Sequence, residues 1–292
     1  MKFGVILPNY RHLAGVEAIK ESALKAEVLG FDSVWTTDHL VVPNQYVDRF
    51  GASIFEPLTA LMYIAGATRR VRLGTSVIIL GYRNPILVAK MVSTLDCLSG
   101  GRVIFGAAAG WMKEEFDILK VPFEERGDIS DEYLKIMKTL WVSEAPAFQG
   151  RYFQFSGIKF LPQPVQKPHP PVWIGGNSKR AIRRAVELGD GWHPNYPNAE
   201  ALKEGLQYLK QLSARRGRPN PPEITYRTPA MVTDGPAEAR PMFGGASKVI
   251  DDVHTYEGLG VSYLVLDFPG ATLAEFLRNM ESFAQKVIPA FS

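Results

Sequence analysis

The chain is poor in the residues that most often announce a function. Its one cysteine, Cys97, lies in the apolar stretch MVSTLDCL. No disulfide can form within the chain, and Cys97 reads as a small buried hydrophobe. No window approaches 18 uninterrupted apolar residues, which argues against a transmembrane helix. The apolar run in the N-terminal MKFGVILPNY is too short for a signal peptide, so a cytoplasmic setting is expected. The 33 basic residues are interleaved with 30 acids, for a formal net charge of +3. That leaves no basic stripe for nucleic acid, and neither a nucleic-acid nor a membrane partner is expected. His12, His39, His169, His193 and His254 are scattered without metal-ligand spacing, so no metal site is expected. There is no GxSxG elbow, Cys97 does not end a strand, and no GxGxxG follows the first strand. Covalent catalysis by the protein is therefore poorly supported.

What is present is a regular alternation. Apolar strand-like runs fall at Phe3–Leu7, Ser33–Thr37, Val71–Leu80, Arg102–Ala109, 172–174, Gly191–His193, Glu223–Val232 and Val261–Asp267. Helical periodicity separates them, as in Glu56–Thr68, Pro85–Leu98, Asp131–Trp141 and Asn198–Arg216. Strands that are apolar throughout belong to a parallel sheet covered on both faces. Eight of them in 292 residues predict the α/β class and a (β/α)8 TIM barrel, with residues 1–292 forming one domain. The rival is an open doubly wound sheet, which the absent GxGxxG disfavours. From Ala145 to Pro170 the pattern gives way to aromatics and prolines, and GRYFQFSGIKF predicts a hairpin-bearing insertion between strands 4 and 5. The helices at 56–68 and 85–98 are apolar nearly all round, whereas an outer barrel helix needs only one apolar stripe. A homodimer through this pair is predicted, an unusually thick loop cover being the alternative.

The segment PVWIGGNSKRAIRRAVELGDGWHP, residues 171–194, reads as strand, Gly-Gly turn, helix and strand. Lys179, Arg180, Arg183 and Arg184 crowd the start of its helix, where the macrodipole favours acids. Basic side chains beside free backbone N–H groups suit a docked anion such as a phosphate. The plain alternative is a tight turn whose basic stems fan into solvent. At the C-terminal ends of the strands, where a barrel keeps its active site, the sequence places Asp38-His39, Gly110-Trp111, Gly175-Gly176-Asn177 and His193. Glycines and aromatics around an anion cradle suit a planar, phosphorylated cofactor that carries the chemistry itself.

FDSVWTTDHL, VRLGTSVIIL followed by NP, FGAAAGWMKEEF, ERGDISDEYL, PPVWIGGNSKRAIRRAVELGDGW and GVSYLVLD resemble the successive landmarks of the luciferase-like flavin and deazaflavin oxidoreductases. Chain length and the GWMKEEF…ERG spacing are most similar to the branch that uses coenzyme F420, with FMN the alternative cofactor. The resemblance implies that Gly175, Gly176, Asn177 and Ser178 hold the cofactor phosphate. It implies a non-proline cis peptide at Ser76–Val77 against the ring, Asp38 and His39 near the ring's reactive edge, and Gly110 and Trp111 beside it. A hydride would pass between cofactor and a small organic substrate, with His39 as proton donor or acceptor. With FMN and oxygen the activity becomes that of a monooxygenase. A hydrogen-bonded structural histidine, in a non-catalytic flavin-binding barrel, is the competing reading. Sugar-phosphate dehydrogenases of this family carry a carboxylate where Trp111 stands, so a sugar-phosphate substrate is not expected. Arg126 is expected to pair with Asp128 or Asp131, and Tyr82, Trp192 and His193 are further rim candidates.

Overall fold

The structure is a computed structural model that describes residues 1–195, 199–234 and 240–291. The expected helix start at Asn198 and the middle of the loop before Ser247 lie outside them. Eight parallel strands close into a barrel: β1 (Lys2–Ile6), β2 (Ser33–Thr36), β3 (Arg72–Thr75), β4 (Val103–Ala108), β5 (Val172–Gly175), β6 (Gly191–His193), β7 (Glu223–Pro229) and β8 (Tyr263–Asp267). Each pairs with its neighbours in sequence, and β8 returns to β1, with Gly4 opposite Val265 on one side and Ser33 on the other. Helices cover the outside, among them Pro57–Ala67, Pro85–Ser99, Arg126–Val142 and Lys179–Leu188. The fold is therefore the (β/α)8 barrel that the alternation predicts.

Two of the expected strands are interrupted within their apolar runs. The run 71–80 breaks after Thr75 at a cis Ser76–Val77 peptide and resumes as the two-residue strand Ile78–Ile79. The run 223–232 breaks at Pro229, which has no N–H to continue the ladder. The helix expected at 131–141 begins five residues earlier, at Arg126.

The interior is filled by indoles where neighbouring strands offer no side chain. Trp35 stacks on Trp173 with centroids 5.0 Å apart and on the His193 ring at 5.7 Å. A Cβ on Gly4 or Gly74 would lie 2.3 or 2.1 Å from Trp35 atoms, and one on Gly191 would lie 2.5 Å from Trp173. These glycines are thus room for tryptophan, and the barrel is a packed core with its opening at one end.

The insertion between β4 and β5 carries the antiparallel pair Phe148–Gln149 and Gln154–Phe155. Its return limb lies on the helix Pro85–Ser99: Lys90 Nζ donates to the Leu161 carbonyl, Cys97 Sγ to that of Gln163, and the Gln166 amide to Asp96. Part of that helix's surplus apolar surface is therefore covered by the chain's own loop. Tyr63, Leu87 and Leu98 remain exposed on the two apolar helices. Among the described residues, no helix is long and apolar enough to cross a membrane.

Candidate active site

A cavity of about 310 Å³ opens at the C-terminal ends of the strands, within the usual size of small-molecule sites. His39, Asp38, Ser76, Val77, Gly110, Trp111, Gly175, Gly176 and Ser178 all line it. Asn177 does not. Its amide instead donates to the Asn195 carbonyl at 2.9 Å and accepts from the Asn195 N–H at 3.0 Å, tying the turn after β5 to the end of β6. Both ends of its side chain are thus spent on the backbone, so any contact of Asn177 with a phosphate would fall to its own backbone N–H.

Part of the floor is apolar. Val77 lies against Gly175, where an added Cβ would come within 2.9 Å of Val77 Cγ1, and Ala108 adjoins them. Gly110 has φ +85°, and a Cβ there would meet Ile79 Cγ2 and Phe116 at 2.7 Å. A planar ring system fits such a floor. Asp38 is buried beneath it, taking two 2.8 Å bonds from Arg83 and a third from the Ile79 amide. Burial pushes its carboxyl up against the pull of Arg83. The carboxylate is occupied, and it holds the end of β2 in place.

His39 has a partner that the sequence reading did not single out. Glu115, with no exposed surface, accepts from His39 Nδ1 at 2.8 Å, from Tyr82 OH at 2.7 Å and from the Leu40 and Val41 amides at 2.6 and 3.2 Å. Burial pushes its carboxyl up, but the hydrogen bonds from His39 and Tyr82 outweigh that and hold it below the usual carboxylate range. An ionised carboxylate only accepts, so the proton on this side of His39 sits on Nδ1 and Nε2 is the nitrogen on the cavity side. Burial and the Glu115 charge push the Tyr82 phenol upward, so it stays a donor.

On the opposite rim His193 is fully enclosed. Its Nε2 is 2.9 Å from Ser76 Oγ and its Nδ1 is 2.7 Å from Thr225 Oγ1, which donates to the Trp192 carbonyl. Arg227, buried on β7, donates to the Ser76 carbonyl, Thr37 and Tyr10. Burial, aided by the Arg227 charge, pushes the His193 imidazole down to about 3.

The basic helix divides its charges. Arg180 and Arg184, one turn apart, line the cavity, whereas Lys179 lies over Tyr208 and Arg183 pairs with Asp131 and Glu187. Ser178 caps the helix by accepting from the Ala181 amide. Arg126 does not pair with Asp128 or Asp131. It is the first residue of its helix, and those positions lie two and five residues on, rotated to other faces. It stacks on Phe123 and donates to the carbonyls of Gly110 and Phe123, while Arg184 takes Asp131. Tyr82 lines the cavity, and Trp192 is buried with its N–H on the Gly176 carbonyl.

The chain belongs to the luciferase-like monooxygenase family, whose pattern matches residues 1–285. It is 28% identical over 165 residues to an FMNH2-dependent dimethylsulfone monooxygenase of Pseudomonas putida, covering 56% of this chain and 45% of that one. It is 32% identical over 182 residues to an F420-dependent glucose-6-phosphate dehydrogenase of Amycolatopsis mediterranei, covering 61% of this chain and 53% of that one. The matches thus span about half the length of either relative. A monooxygenase from Streptomyces bottropensis superposes with a TM-score of 0.86 at 21% identity over all of both chains, a likeness of fold. The two relatives are named for different cofactors, FMNH2 in one and F420 in the other.

Proposed function

We propose that the protein is an oxidoreductase that moves a hydride between coenzyme F420 and a small organic substrate. When bound, the deazaflavin supplies the carbon that carries the hydride. Backbone N–H groups of Gly175, Gly176 and Asn177 and the Ser178 hydroxyl, with Arg180 and Arg126 nearby, would hold its phosphate, and Val77, Ala108 and Gly110 would seat its ring. Phe50 and Trp111 narrow the entrance and exclude water. His39 Nε2 would deliver or receive the proton that accompanies the hydride, and Glu115 keeps Nδ1–H in place and balances the charge on the imidazole.

One observation supports F420 over FMN. Arg126, Arg180 and Arg184 gather at the phosphate end of the cavity, and the first two have no carboxylate partner among the described residues. Arg184 is already paired with Asp131, which leaves Arg126 and Arg180, one cation more than a single phosphate monoester needs and a match for the further anionic groups of the F420 tail. The second reading, an FMN-dependent monooxygenase, draws on the likeness to the dimethylsulfone monooxygenase. Parallel titrations of the apoprotein with F420 and with FMN separate the two readings. Saturable F420 binding at least tenfold tighter than FMN supports the first, and the reverse order supports the second.

The homodimer through 56–68 and 85–98 is likewise a proposal, resting on exposed Tyr63, Leu87 and Leu98. A monomeric mass by light scattering would reject it.

A further inference from the structure

The cavity is more cationic than one cofactor tail explains. Among the described residues that line it are six arginines, Arg11, Arg49, Arg126, Arg180, Arg184 and Arg227, against one acid, Asp38, which Arg83 already neutralises. Three of the six gather around the cofactor tail's end. Of the others, Arg11 and Arg227 share Asp267. Arg49 has neither a hydrogen bond nor an ion pair among the described residues.

Arg49 is held by rings. Its guanidinium lies 5.0 Å from the Phe50 centroid and 5.5 Å from that of Trp111. Trp111 is braced edge-on by Tyr46 at 5.5 Å, and Phe50 stands 4.6 Å from the His39 ring. Stacking uses the face of the guanidinium and leaves its in-plane donors open. The order outward from the reacting end is therefore imidazole, aromatic wall, unpartnered fork of N–H donors. A bidentate carboxylate is the group that fork fits.

Building on the oxidoreductase reading, we propose that the substrate is an organic carboxylate with an apolar body, its carboxylate gripped by Arg49 and its body lying along Phe50 and Trp111 toward His39. Arg49 determines specificity and takes no part in the proton transfer.

The test uses phenylacetate and its neutral isostere phenylacetamide as probes. They are titrated into the cofactor-loaded protein and, separately, into the cofactor-free protein. Of the five tryptophans, Trp111 is 47% exposed and the others at most 1%, so solvent-sensitive emission changes report this wall. Phenylacetate should quench saturably, phenylacetamide at least tenfold more weakly, and added salt should weaken only the former. Arg49→Gln should cost phenylacetate tenfold or more and Arg49→Lys less, while Lys179→Gln, removing a cation elsewhere on the same end of the barrel, should change nothing. Equal affinity for the two probes, no saturation by phenylacetate, or full affinity in Arg49→Gln would overturn the proposal. Failure of both coenzymes to bind, read from their own absorbance, would instead remove the oxidoreductase reading while leaving the anion titration interpretable.

Discussion

Two histidines sit on opposite rims of the same cavity, both buried, and their surroundings give them opposite electrical characters. His39 ends β2 with a carboxylate behind it, so a proton arriving at Nε2 meets a compensating charge across the ring. His193 ends β6 between two hydroxyls with Arg227 close by, and both of its nitrogens are already committed. Protonating it would bury an uncompensated second cation. The residue type and burial are shared, so the neighbours decide the role. His39 has the carboxylate-backed arrangement that the proposed proton transfer needs, and His193 is a neutral bridge that fastens Ser76 to β6 and β7.

The sharpest way to break this contrast is to remove the imidazole proposed to carry the proton. His39→Gln should lower kcat/KM by roughly 10²–10⁴-fold, the range for losing a general acid or base, with cofactor affinity changed less than about threefold. Unchanged turnover would take His39 out of the chemistry.

His193 should show itself in stability against pH. Its folded pKa of about 3 lies below the value near 6.5 of an unfolded chain. Between those values the unfolded chain binds the extra proton. The native state therefore has its full advantage above about pH 6.5 and loses it as pH falls, by about 1.4 kcal/mol per unit. By pH 4.5 the loss from this residue is roughly 2–3 kcal/mol. His193→Gln keeps an acceptor for Ser76 but cannot titrate, so its denaturant midpoint should fall less than the wild-type one between pH 7.5 and 4.5. Parallel acid losses would show that His193 is not held neutral by its site.

These two rims were not equally legible in the sequence. Asp38-His39 and the Gly175-Gly176 turn stand at strand ends, and strand ends follow from apolar runs, so the barrel and half of the site could be placed directly. Glu115 could not. It is 76 residues from His39 and sits beside Glu114, and a helix of six residues is too short to reveal its phase. In the structure Glu115 turns inward while Glu114 bonds Gln45 near the surface. Arg227 was within reach: Thr225 and Arg227 alternate on one face of a strand that is otherwise mostly apolar, which marks the barrel interior. The four cations of the helix at 179–188 were read as one cluster, although four-residue spacing pairs 180 with 184 and 179 with 183. Only the first pair faces the cavity. Nothing local shows that the side-chain amide of Asn177 is taken up by Asn195.

The contrast can be sharpened from behind His39. Glu115→Gln keeps the size of the side chain and removes its charge. The imidazole then keeps its place but loses the compensating carboxylate, and its tautomer is no longer fixed by an acceptor-only partner. Turnover should fall about 10–100-fold with KM nearly unchanged, and Glu115→Asp should recover part of the loss. A purely structural carboxylate would instead lower stability and KM-normalised activity together, without rescue by Asp.

The smallest expected effect separates orientation from charge. Tyr82→Phe removes one of the four donors to Glu115 and leaves the carboxylate ionised, with His39 and two amides still bound. Losing one hydrogen bond to a charged acceptor costs about 1.5–3 kcal/mol when the acceptor is left short, but three remaining donors reduce that to about 1 kcal/mol. Turnover should then drop only a few-fold, well short of Glu115→Gln. If Tyr82→Phe instead matched Glu115→Gln, the phenol itself would be the group touching substrate, since it also lines the cavity, and His39 would be reduced to its support.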